Sequence, residues 1–173
     1  GEVVYDQLFD TYLENKKNGG TRLDFLKKAC RIPGIYVPQF YEVTYHEDGT
    51  VAAFTPSIPE APEKIKKQLV MDMTEATYPE KPVVPFIKAT QDRVVLEIQR
   101  GCIRGCRFCQ AGMIYRPNRE KKVDHLKDVA AALIKNTGHE EISLSSLSSS
   151  DYKELDELIT FLLDICKEKK INI

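Results

Sequence analysis

The sequence predicts an α/β fold in its second half, on three observations. From Gln91 onward, short strand-like runs at Arg93-Val-Val-Leu-Glu-Ile98 and Ile142 to Ser145 alternate with amphipathic stretches. The first such stretch sets Val123, Leu126, Val129, Ala130, Leu133 and Ile134 on one helix face and ends before Gly138. The second opens on Asp151-Tyr-Lys-Glu154, which reads as a capping sequence, and carries the stripe Leu155, Leu158, Ile159, Leu162, Leu163 and Cys166. Ile171-Asn-Ile173 reads as the start of a third strand. Such a β-α-β-α-β order with short connections specifies parallel strands joined by right-handed crossovers. The loops after the first two strands, 102–109 and 145–150, must then open on one carboxyl-end face, where α/β proteins place their sites.

The first half reads differently. A helical pattern from Val3 to Asn15 closes at Gly19-Gly20, and Thr21 to Asp24 forms a capping box that opens a short helix reaching Cys30. Eight of the nine prolines lie between Pro33 and Pro85, so no long helix fits there. Within that stretch Tyr41, Val43 and Tyr45 alternate with polar residues, and Asp48-Gly49 precede Val51 to Phe54; this predicts a β-hairpin whose turn residues take positive φ. Residues 59–78 are expected to form an irregular connector with one helical turn. The organisation is therefore a linker region over 1–90 (helices, Pro-rich segment and hairpin) followed by an α/β region over 91–173.

Composition narrows the classes of function. A chain of 173 residues with 42% hydrophobic and 29% charged residues can bury a core, which excludes intrinsic disorder as its default state. The charge sum of 25 basic and 26 acidic residues leaves -1, so nucleic acid could be met only by a local patch. Without a long apolar run or a basic-then-apolar start, the expectation is a cytoplasmic protein with no membrane partner.

Chemistry concentrates in the cysteines. Cys102, Cys106 and Cys109 fall within one loop, while Cys30 and Cys166 stand in helical patterns and read as small buried hydrophobes. Three thiolates at Cys-x3-Cys-x2-Cys can converge on one metal centre, and an iron–sulfur cluster held by three protein ligands keeps one iron open. A zinc site that adds His125 to the three cysteines is the alternative, which would make the chain a zinc-binding interaction module; a dithiol pair at Cys106 and Cys109 would leave Cys102 without a role. Arg100, Arg104, Arg107, Arg116 and Arg119, with Lys121 and Lys122, surround the triplet; positive charge there lowers thiol pKa and suits an anionic cluster, a carboxylate or RNA phosphates.

The run Gly101-Cys-Ile-Arg-Gly-Cys-Arg-Phe-Cys-Gln-Ala-Gly112 resembles the cluster loop of the radical S-adenosylmethionine (radical SAM) enzymes, Cys-x3-Cys-x-aromatic-Cys, with Phe108 in the aromatic place. With the flanking sequences 78–86 and 141–152 it is similar to cobalamin-domain-fused radical SAM proteins of largely uncharacterised function, related to the methylthiotransferases. The resemblance implies the beginning of a (β/α) partial barrel, about two units plus a third strand. It also implies a 4Fe-4S cluster on Cys102, Cys106 and Cys109, and SAM as the cofactor that the cluster's open iron chelates. Ser148, Ser149 and Ser150 stand where the family, usually with glycines, contacts the methionine moiety. It further implies an RNA or ribosomal-protein substrate for methyl or sulfur transfer, and an electron donor such as flavodoxin or ferredoxin. The sequence singles out no catalytic residue. No cobalamin-binding Asp-x-His-x-x-Gly occurs, so that cofactor would belong to the parent protein, and Gly1-Glu2 resembles the trailing edge of a cobalamin-type domain. The expectation is an internal fragment of a larger enzyme, inactive alone.

Overall fold

A computed structural model describes residues 1–74, 76 and 78–172. The chain divides into two compact units, Gly1–Leu69 and Val70–Ile173. The elements in chain order are α1 (Glu2–Lys17), α2 (Arg22–Ala29), β1 (Tyr41–Tyr45), β2 (Val51–Pro56), β3 (Val94–Glu97), β4 (Gln99–Arg100), α3 (Ala111–Ile114), β5 (Arg119–Glu120), α4 (Val123–Thr137), β6 (Ile142–Ser145) and α5 (Leu155–Lys169). No helix among the described residues is long and apolar enough to cross a membrane.

In the first unit the capping box forms as expected. The Thr21 hydroxyl accepts from the Asp24 amide while Asp24 accepts from the Thr21 amide, which satisfies the orphan donors at the start of α2. The β1–β2 hairpin is antiparallel, with a register shift between Thr44 and Tyr45. Its turn corrects the expectation: Gly49 alone takes positive φ, at 83°, because the connection spans more than two residues and Asp48 instead accepts from the Thr50 amide and hydroxyl. A small core of Cys30, Val37, Phe40, Tyr41 and Ala61 closes under the hairpin. Residues 59–78 form no helical turn among those described, and Glu75 and Thr77 lie outside them.

In the second unit β3 and β6 pair in parallel, Val94 opposite Ile142 through Glu97 opposite Ser145. Asn172 adds a parallel bridge to Glu141 on the far edge of β6, accepting from the Ile142 amide, so the third strand begins where expected; Ile173 lies outside the described residues. What the structure holds is therefore two parallel strands and a bridging third in a mixed α/β unit. Val94, Leu96, Ile98 and Ile142 pack against Leu126, Val129, Leu133, Leu158, Leu162 and Cys166 of α4 and α5 in one apolar core. The buried residues of α4 coincide with the stripe read from the sequence. On α5 the stripe shifts: Leu163 is 52% exposed, and Phe161 and Ile165 flank Leu158 and Leu162 instead. Residue 163 stands about 100° around the helix from 162, which turns it off the sheet. Asp151 does not cap α5. Glu154 occupies that position without a side-chain cap bond, because Asp151 is engaged elsewhere.

Candidate cysteine-loop site

The loop that bears the cysteines leaves the sheet through a narrow neck. Beyond β3, Gln99 and Arg100 form β4, which pairs antiparallel with Glu120 and Arg119 of β5, and the Lys121 amide donates to the Ile98 carbonyl at 2.9 Å. Gly101 follows at φ +100°, and a Cβ there would stand 2.8 Å from the Asn118 Cα and the Pro117 carbonyl oxygen. Only glycine meets both demands, which explains its place immediately before Cys102.

All three loop cysteines are free. Cys102 is half-buried and its Sγ accepts from the Arg104 amide at 3.4 Å; Cys106 and Cys109 are exposed and joined by a backbone turn in which the Cys109 amide donates to the Cys106 carbonyl at 3.0 Å. Phe108 is 94% exposed. Among the described residues no three His, Cys, Asp or Glu side chains are arranged to hold a metal ion. The fit to a cluster therefore rests on donor chemistry: three free thiols on one loop, Cys-x3-Cys-x2-Cys, with no thiol committed to a disulfide. His125, the fourth ligand of the zinc alternative, sits in the first turn of α4 with its Nε2 buried and without a partner.

The serine loop after β6 lies on the same face as the cysteine loop, as the parallel pairing requires. The Gln99 amide Nε2 donates to the Ser148 carbonyl at 2.6 Å. Arg104, between Cys102 and Cys106, grips Asp151 with two guanidinium nitrogens, and the Ser148 hydroxyl donates to the same carboxylate at 2.7 Å. The Arg104 guanidinium, with help from Ser148, holds the Asp151 carboxyl below the usual carboxylate range, and Asp151 in turn raises Arg104. Ser149 shares a hydrogen bond with Ser146 at 2.9 Å, while Ser150 is exposed.

Most of the surrounding arginines are tied inward. Arg100 bonds Glu97 through two nitrogens at 2.8 and 3.0 Å, Arg116 donates to the Arg104 carbonyl at 3.0 Å, and Arg119 donates to the carbonyls of Pro117 and Val70 at 3.1 and 3.2 Å. Arg107 and Lys122 are exposed, whereas Lys121 is 2% exposed, with its ammonium 3.5 Å from Glu97 and 4.2 Å from the Tyr78 ring centroid.

Sequence reasoning took Asp151 for a helix cap and missed the roles of Glu97 and Tyr78 and the burial of Lys121. A carboxylate inside an otherwise apolar strand, at Glu97, was the available signal.

Known proteins bear on this region. Residues 96–173 match the family described as the Radical SAM superfamily. An uncharacterized protein of Methanocaldococcus jannaschii is 36% identical over 108 residues, a stretch that covers 57% of this chain and 24% of that protein. The matched stretch is thus about a quarter of the relative's length. No solved structure matches the chain.

Proposed function

We propose that this chain carries the cluster- and SAM-binding start of a radical SAM enzyme. The observation that carries the reading is the Cys102, Cys106 and Cys109 loop at the carboxyl end of β3, tied through Arg104 and Asp151 to the loop after the parallel strand β6, inside the stretch that matches the family. On this reading Cys102, Cys106 and Cys109 would hold a 4Fe-4S cluster, which with bound SAM would supply one-electron reductive cleavage of SAM, the electron coming from an external donor. The chain's own residues bind and orient. Phe108 and the polar groups of Ser148, Ser149 and Ser150 are the residues that would hold the cofactor, and the Arg104–Asp151 pair keeps the two loops adjacent.

The reaction proposed on the resemblance to the methylthiotransferases is methyl or sulfur transfer to RNA or a ribosomal protein, with flavodoxin or ferredoxin as the electron donor. Arg107 and Lys122, both exposed, are the cations proposed to meet a phosphate backbone.

Anaerobic reconstitution with iron and sulfide, then reduction with SAM present and an assay for 5′-deoxyadenosine in the parent protein, tests the reading. A cluster with three cysteine ligands, lost in a variant with all three cysteines replaced by alanine, is the expected result. Stoichiometric zinc and no reconstituted cluster would replace it with the zinc-module reading.

A further inference from the structure

The cysteine loop needs a fixed base, and the short strands at its neck are poorly suited to provide one alone. β4 and β5 have two residues each, far below the length at which a hairpin holds itself. Arg100 stands directly opposite Arg119 in that pair, a like-charge juxtaposition that pushes the strands apart. Carbonyls of Pro117 and Val70 take up the Arg119 guanidinium, and an anion beside Arg100 offsets the rest.

Glu97, the last residue of β3, is placed to do so. Its side chain lies on the sheet face opposite Val94, Leu96 and Ile98, as the alternation of a strand dictates. Oε1 accepts from Arg100 Nε at 2.8 Å and Oε2 from the second Arg100 nitrogen at 3.0 Å, a two-point charge-assisted pair. The same Oε2 lies 3.5 Å from the Lys121 ammonium. Arg100 is the last residue before the loop and Lys121 the first after β5, so one carboxylate grips the chain where it leaves the sheet and where it returns. Lys121 is itself fixed from other directions: its ammonium faces the Tyr78 ring, and its carbonyl accepts from the Tyr152 hydroxyl at 2.8 Å.

We infer that Glu97 is a positioning residue for the cysteine loop, closing the loop's neck by holding Arg100 and Lys121 together. The inference about the neck stands on these contacts alone; that the neck serves a cluster rests on the function proposed above.

Hydrogen exchange on the 173-residue chain without iron tests it first, with E97Q and R100Q against wild type. Both substitutions should speed exchange at residues 99–101 and 119–121 by about tenfold and leave α4 and α5 unchanged, since only the neck depends on the tie. R100Q leaves the buried Lys121 and Glu97 in place, so it decides the matter even where E97Q folds poorly. Wild-type neck exchange in R100Q, or a rise spread equally over α4 and α5, would overturn the proposal. Iron uptake at limiting iron and the electron paramagnetic resonance line shape of the reduced cluster form the second readout. Looser necks should lower uptake and broaden the signal, and an unchanged uptake and line shape would confine Glu97 to a purely structural role. Wild type that takes up no iron would instead defeat the function proposed above, while the exchange result still decides whether Glu97 closes the neck.

Discussion

Strand β3 is held by apolar packing along its length and by charge at its carboxyl end. Val94, Leu96 and Ile98 are at most 3% exposed and lie on α4 and α5, whereas the next few residues are fixed by Arg100 on Glu97, Lys121 beside it and Arg104 on Asp151. Apolar contacts are non-directional and many, so they set where the sheet stands and tolerate small shifts. Ionic hydrogen bonds are few and directional, so they decide where each loop points, and losing one moves the loop without melting the scaffold. The division implies that substitutions in the two regions separate global stability from loop geometry.

Leu158→Ala should have the largest effect. Leu158 is 0% exposed in the core between helix and sheet, and truncation there costs about 2–5 kcal/mol from lost transfer energy and the cavity left behind. Thermal or urea unfolding of the variant should show the whole unit weakened, with exchange faster in α4, α5 and β3 together. A melting temperature within a degree or two of wild type would mean that the apolar face is not what holds the sheet.

Gly101→Ala comes next and should act locally. Positive φ together with a Cβ 2.8 Å from backbone atoms of Pro117 and Asn118 forces the neck to shift, at a cost of about 1–3 kcal/mol. The expected outcome is a modest loss in unfolding experiments and a marked loss of iron uptake at the cysteine loop. Uptake that tracks global stability, variant by variant, would erase the distinction between scaffold and neck.

That distinction also governs what the sequence disclosed. The helix α4 was legible to the residue because burial on one face leaves a 3.6-residue period, and Val123 through Ile134 carry it without interruption. The strands β3 and β6 and the shared face of their loops followed from the order of elements and the crossover rule. The capping box at Thr21 was legible because its two partners lie three residues apart. The ties were not legible, because Arg104 finds Asp151 and Gln99 finds Ser148 across almost fifty residues, distances at which no periodicity operates. The same limit explains the misreading of Asp151 as a helix cap: its spacing to Glu154 fits a capping box, but a guanidinium from the other loop competes for it and wins. Lys121 read as one of a basic run, and its burial depends on Tyr78 and Glu97, which the sequence leaves apart.

Asp151→Asn should have the smallest effect on stability, and its pH dependence identifies its origin. The carboxyl is held below its ordinary value by Arg104 first and Ser148 second. A group with a lowered folded pKa contributes stability that is complete above the unfolded value, about 3.9 for aspartate, and is lost as pH falls through the folded value below it. Asparagine has no such titration, so the difference between wild type and D151N in urea midpoint should be constant near neutrality and shrink toward pH 3. Added salt should shrink it too, since the Arg104 side chain is 62% exposed and lets ions approach the pair, even with the Asp151 side chain at 8%. Glu97, whose side chain is 24% exposed beside a Lys121 that is 2% exposed, should respond much less to salt. Measuring the E97Q and D151N differences across the same salt series therefore compares the two ties directly. A D151N difference that ignores both pH and salt would show that the loops are joined by shape rather than by charge, and the contrast between the apolar length of β3 and its charged carboxyl end would then hold for Glu97 alone.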